Sequence, residues 1–152
     1  MHTREAIAEQ WLERVLRTYP AETAAFLIGE HDPFRNPVGH TLRHALAILV
    51  DELLLAMDRE RVTAALDSIV QIRAVQDFTP GQALEFLFQL KPILAQFAPA
   101  SDFEQLGARI DEMALIAFDL YVKYRERTFE AKSNAVKRRV YVLERRFARE
   151  VG

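Results

Sequence analysis

Apolar residues in this chain recur at spacings of three and four, while the residues that break helices are confined to a few places. Ile7, Trp11, Leu12 and Val15 mark one stripe, and Leu42, Leu46, Leu49, Leu53 and Met57 mark another. That spacing puts side chains on one face of an α-helix. Only five Gly and six Pro occur, with no Pro between residues 38 and 79 or after Pro99. No alternating β-branched run bounded by turns is present, so nothing reads as a strand. The expectation is an all-α fold of five to seven helices.

Capping chemistry sets the expected limits. Tyr19-Pro20 closes the first helix, because the residue before a proline is pushed out of the α region. A short helix from Glu22 to Ile28 then stops at Gly29. Asp32-Pro33-Phe34 and Asn36-Pro37-Val38 each place a capping side chain before a proline suited to the first helical position, predicting one turn and then a helix from Pro37 to Met57. Asp58 caps a helix from Arg59 to Asp77. Thr79-Pro80-Gly81-Gln82 reads as a capping box, and Ser101-Asp102-Phe103-Glu104 as a second, opening the final helix near Asp102.

The segment from Ala83 to Phe97 is apolar on most sides and is expected to lie centrally, with a kink where Lys91-Pro92 interrupts it. From Leu115 onward, Leu115, Val122, Phe129, Val136 and Leu143 keep a strict spacing of seven. Phe118, Val140 and Phe147 fill alternate positions, and Glu126 and Ser133 break the pattern. This is an extended coiled-coil seam. Residues 128–152 therefore read as a helical extension continuous with the last helix of a body spanning residues 1–127. A lone helix so exposed is marginal, so a homodimer through Val136, Val140, Leu143 and Phe147 is expected.

Composition narrows the function classes. At 152 residues and 50% hydrophobic, the chain suits one domain with a sizeable core. Without cysteine, disulfides, thiolate metal sites and cysteine nucleophiles drop out. The first ten residues carry Arg4, Glu5 and Glu9 where a secretory signal needs an apolar stretch. The apolar run Ala45 to Val50 is followed by Asp51 and Glu52, and no run is longer, so no membrane span is expected and a cytoplasmic protein is. The net charge of −2 hides an asymmetry. Residues 123–150 hold ten Lys/Arg against Glu126, Glu130, Glu144 and Glu150, or +6, which leaves −8 for the rest. An acidic body with a basic tail suggests different surroundings for the two parts, or tails meeting bodies in an oligomer.

Two ordered motifs carry a family resemblance: Asp32-Pro33-Phe34-Arg35-Asn36-Pro37-Val38-Gly39, and Ile72-Arg73-Ala74-Val75-Gln76-Asp77-Phe78-Thr79-Pro80-Gly81-Gln82-Ala83, followed by Phe86 and Leu90-Lys91. Over residues 5–125 the chain resembles the N-terminal domain of RsbRD-type proteins, the RsbT co-antagonists. The resemblance implies a non-enzymatic input module, since related RsbR proteins carry a dimeric, globin-like helical N-terminal domain without haem. In those relatives a linker helix leads into a C-terminal STAS domain, the phosphorylatable part of the stressosome. No STAS domain follows in these 152 residues, so the implied role is the sensory or scaffolding half. No catalytic residues come with it.

The residues of those motifs read largely as turns and caps, with one exception. Arg73 and Asp77 are spaced i, i+4 on a helix that also presents Ile69, Ile72 and Val75, and Gln76 lies beside them. Facing inward, Arg73, Gln76 and Asp77 would form a buried polar network, structural or ligand-binding, because a lone buried charge is costly. His40 and His44 share one helix face, with Asp51 two turns on and Glu30, His31 and Asp32 in the preceding loop. A divalent metal there is conceivable, though the pair lacks the Glu of H-E-x-x-H. All four histidines fall in the first 44 residues, too early for a globin-type proximal ligand, so neither haem nor any other cofactor is expected.

No glycine-rich phosphate loop, nucleophile elbow or pair of helical Glu-x-x-His motifs is present. Asp111, Glu112 and Asp119 have no second helix of ligands to match, and an enzyme is not expected. Lys137-Arg138-Arg139 and Arg145-Arg146 could contact nucleic acid, but the acidic body opposes its approach. The sequence thus predicts an all-α, globin-like bundle with a long C-terminal helix, acting as a signalling or scaffold module that relays a signal to a regulatory protein partner. The competing class is a small-ligand or metal-binding sensor, its pocket lined by Phe86, Phe88 and Tyr121 or formed at the His40/His44 face.

Overall fold

The computed structural model describes residues 2–151. Six α-helices follow one another: α1 His2–Leu16, α2 Ala21–Gly29, α3 Pro37–Leu54, α4 Arg59–Ala74, α5 Pro80–Phe97 and α6 Phe103–Val151, the last preceded by a 3-10 turn at Ala100–Asp102. Among the described residues there is no strand. The fold is an all-α bundle with a long C-terminal helix, as the apolar spacing requires.

Local chemistry sets the starts of α3, α4 and α5. The Asn36 side chain accepts from the Gly39 amide ahead of Pro37, Asp58 accepts from the amides of Glu60 and Arg61, and Thr79 and Gln82 close a reciprocal capping box. Asp32 accepts from the Phe34 amide and holds the single turn before Asn36. Three limits differ from the sequence expectation. α3 ends at Leu54 rather than Met57, because Met57 takes a left-handed φ of 54° and its amide turns back to the Glu52 carbonyl. The Arg109 guanidinium reaches across from α6 to the carbonyls of Leu53 and Leu55 and holds that end. α6 opens through the 3-10 turn, in which the Asp102 amide donates to the Pro99 carbonyl, rather than through a capping box at Ser101. α4 ends at Ala74, short of Asp77. α5 runs on through Pro92 to Phe97, and Pro92 lies on the exposed side of the helix.

α3 packs between α1 and α4, α5 against α1, and the first half of α6 against α4 and α5. The shared core includes Trp11, Leu42, Leu46, Leu49, Leu66, Ile69, Phe86, Leu90, Met113 and Tyr121. The Trp11 indole N–H donates to the Phe86 carbonyl at 2.7 Å and its ring stacks on Phe86. Glu52 is a buried carboxylate satisfied by Arg61 at 2.7 Å and by the Asp58 amide.

Asn36 joins three segments. Its amide nitrogen donates to the carbonyls of Leu27 and Glu30 while its oxygen caps α3. Gly39 is required by this close approach, since a Cβ there would collide with the Asn36 side chain. Gly39→Ala is therefore expected to cost about 2 kcal/mol as Asn36 gives up bonds. Urea denaturation measures it, and an unchanged midpoint would show that Asn36 has room to move.

Candidate functional site

Arg73, in the last turn of α4, is only 1% exposed. Its Nε donates to the Ala83 carbonyl at 2.8 Å, Nη2 to the Gln82 carbonyl at 3.0 Å and Nη1 to Thr18 Oγ1 at 3.2 Å. The guanidinium lies 4.5 Å from the Phe78 ring centre, with Phe86 and Tyr19 on its other sides. Burial pushes its pKa below the ordinary arginine value, opposed by the Tyr19 phenol and the Glu85 charge. The charge thus fastens the end of α1 and the start of α5 to the end of α4.

The expected Arg73–Asp77 pair does not form. α4 stops at Ala74, so the i, i+4 geometry is lost, and Asp77 is exposed. Gln76 enters the cluster differently, its Oε1 accepting from the Tyr19 hydroxyl at 2.8 Å. Arg73→Met removes three hydrogen bonds from a charged donor while keeping most of the volume. A loss of about 2–3 kcal/mol is expected, roughly 5–10 °C in melting temperature. No change in a thermal scan would mean that the cluster contributes nothing to stability.

His40 and His44 are both exposed on α3, their rings parallel with centres 6.5 Å apart. They border a groove between α3 and α4 with Thr41, Arg61 and Ser68. The acids expected to join them are engaged elsewhere. Asp51 lies 3.8 Å from Arg4, Glu30 accepts from the Asp32 amide, and Asp32 accepts from the Phe34 amide. Among the described residues no group of three His, Cys, Asp or Glu side chains is placed to hold a metal ion.

The aromatic pocket of the sequence reading is not assembled. Phe86 is in the core beside Trp11, while Phe88, two positions on, faces outward under the Lys91 ammonium. Residues two apart on a helix point to different sides. Tyr121 is buried in the core.

The remaining candidate is α6 itself, 49 residues and about 74 Å long. Its first half buries Leu106, Ile110, Met113, Ile116, Ala117 and Tyr121. The last ties to the bundle are Tyr124, whose hydroxyl donates to Asp67 at 2.6 Å, and Arg125, which donates to the Ala74 carbonyl. The bond to Asp67 raises the Tyr124 pKa above the ordinary phenol value. Beyond them no described residue is buried. A second apolar stripe nevertheless runs through both halves: Leu115, Phe118 and Val122 on the body, then Phe129 at 73% exposure, Val136 at 57%, Val140, Leu143 at 62%, Phe147 at 70% and Val151. Together these side chains leave an exposed apolar stripe along α6, of the kind that monomeric proteins seldom present to water.

Sequence reasoning located this stripe and Arg73. It missed the Thr18 hydroxyl, the Gln82 and Ala83 carbonyls and the Tyr19–Gln76 bond, whose partners are distant in sequence or belong to the backbone.

Comparison with known proteins supplies the family. Residues 5–136 match the model of the RsbT co-antagonist protein rsbRD N-terminal domain. That span takes in both cap-rich motifs and Arg73, and ends within the exposed part of α6. The chain is also similar to an uncharacterized protein of Archaeoglobus fulgidus, 25% identical over 134 residues that cover 85% of this chain and 82% of the relative. No solved structure matches. With the match covering most of its length and the all-α bundle in place, the chain belongs to the RsbT co-antagonist protein rsbRD N-terminal domain family.

Proposed function

We propose that this chain is a non-enzymatic signalling or scaffold module that pairs with a second copy through the apolar stripe of α6 and relays a signal from its helical body to a regulatory protein partner. The carrying observation is the stripe itself, six large apolar side chains from Phe129 to Val151 that no described residue covers. Past Arg125 no described residue of the helix is buried, so this part lacks the tertiary packing that supplies most helical stability in proteins. The family description names a co-antagonist protein, a regulatory role and not a catalytic one. We infer further that the chain divides at residue 127 into a sensing or scaffolding body and a basic extension, works in the cytoplasm and needs no cofactor or nucleic acid. No described helix is long and apolar enough to cross a membrane, which agrees with that setting. Continuity of α6 from core to tip gives the relay a physical path, since a shift of the body's packing moves the whole helix.

A second reading rests on the groove beside His40 and His44, where parallel imidazoles, Thr41, Ser68 and the Arg61 guanidinium could hold a small ligand or, through the imidazoles, a metal ion. Native mass spectrometry of the gently purified chain separates the two. A dimer without added mass is expected. A monomer contradicts the pairing, and a retained metal or organic mass favours the sensor reading and makes His40 and His44 the first residues to substitute.

A further inference from the structure

Resting on the reading of a regulatory protein partner, we propose that the face of α6 opposite the apolar stripe docks an acidic helix of that partner. The face is built as a second seam. Ala131, Ala135, Arg138, Val142, Arg145 and Arg149 follow one another at alternating steps of four and three, the spacing at which one helix lies along another. Arg138 stands nine positions after Phe129, two and a half turns round the helix, so this row is on the far side from the stripe. It stays open when the stripe is paired.

Toward the body, the bundle covers this same face. Met113 and Ala117 on it are buried in the core, and Tyr124 packs against that core and donates to Asp67 of α4. α4 then ends at Ala74, whose carbonyl accepts from Arg125. Beyond that point all six residues of the row are exposed. A helix laid on them continues the packing that α4 begins.

The side chains specify the chemistry of that helix. Ala131 and Ala135 let a backbone come close, Val142 offers an apolar contact, and the three arginines call for carboxylates, which a guanidinium fork binds bidentately. No Asp or Glu lies three or four positions from Arg138, Arg145 or Arg149, so no acid one turn away along the helix neutralises them. Among the described residues none of the three takes part in an ion pair. The Arg145 guanidinium lies 5.7 Å from the ring centre of Tyr141, which is 58% exposed, and arginine beside exposed tyrosine is a composition that protein interfaces favour. The acidic body does not cancel this charge. Arg138 is about 20 Å along the helix from Arg125, well beyond the screening length of about 8 Å at physiological salt. A nucleic acid strand would use the cations alone and leave Ala131, Ala135 and Val142 without a role, so the row favours a protein helix with glutamates at the matching steps.

The test uses the full chain and three labelled probes: a synthetic helical peptide with Glu and Leu at alternating steps of four and three, a scrambled peptide of the same composition, and single-stranded oligouridine. Fluorescence anisotropy is expected to show the patterned peptide bound best. Arg138→Gln with Arg145→Gln is expected to weaken it roughly tenfold. Lys132→Gln with Lys137→Gln removes the same charge from other sides of the helix and is expected to weaken it no more than about twofold. All four positions are exposed, so thermal melting should not move in either variant. Equal losses in the two variants, equal binding of the scrambled peptide, tighter binding of oligouridine, or no binding of the patterned peptide would each overturn the proposal. Native mass of the complex separates it from the pairing reading. A peptide that binds while splitting the dimer sits on the stripe and overturns the docking face, whereas a monomeric chain that binds it through Arg138 and Arg145 upholds the docking face and contradicts the pairing.

Discussion

Replacing Leu143 and Phe147 together by Glu is expected to turn the chain into a monomer without altering the stability of its body. Both side chains are more than 60% exposed and border an apolar concavity with Ala148 and Val151. Nothing in the bundle touches them, so the bundle has nothing to lose. In a pair, four such side chains would leave water, each worth about 1.5 kcal/mol or more. Even half of that total, combined with the cost of desolvating four carboxylates at a seam, raises Kd by roughly a thousandfold or more. Sedimentation at matched micromolar concentrations reads the change, and thermal melting reads the body. A double variant that stays dimeric would place the interface elsewhere, and one that melts well below the parent at a concentration where both are monomeric would show that the extension supports the bundle.

The largest expected loss of stability is at the other end of the chain. Trp11 is fully buried, stacks on Phe86 and donates its indole proton to the carbonyl of that residue, joining α1 to the centre of α5. Trp11→Ala removes the largest core side chain and is expected to cost about 3–5 kcal/mol, roughly 10 °C or more in a chain of this length. Trp11→Phe keeps most of the apolar volume and loses the hydrogen bond, so about 1–2 kcal/mol is expected. Calorimetry of the two variants separates cavity from hydrogen bond. Equal losses would mean that the N–H, not the ring volume, holds α1 in place.

What the sequence makes legible is what is local. Caps at Asn36, Asp58 and Thr79 involve residues two or three apart, and each forms as expected. The exposed stripe is legible for the same reason, because spacing along one helix determines it whatever the rest of the chain does. Helix ends without a cap are a different matter. Nothing local announces that α4 stops at Ala74, and the Arg73–Asp77 pair fails on that point. Nor does the sequence indicate that Arg73 is satisfied by two backbone carbonyls and the Thr18 hydroxyl, 55 positions away. Every carbonyl looks alike in a sequence, and tertiary folding decides which ones converge.

The same distinction explains the candidate sites. His40 and His44 are neighbours by helix spacing, and their rings lie parallel as that spacing allows. The acids imagined around them lie on other segments and have other partners, Asp51 beside Arg4 and Asp32 with the Phe34 amide. Asn36 looked like a cap and is one, yet its two bonds to the Leu27 and Glu30 carbonyls, which fix α2 against α3, had no signal in the sequence.

The pairing of α6 is tested most directly by amide hydrogen exchange across residues 128–151, followed as the protein is diluted. Helix ends without tertiary contacts open at almost no cost, while helices packed on both sides exchange with the whole fold. Slow exchange around Val136 to Phe147 at micromolar concentration, lost on dilution while the body around Trp11 and Arg73 stays protected, is the predicted result. Fast exchange of the same amides at every concentration, beside a fully protected body, would contradict it.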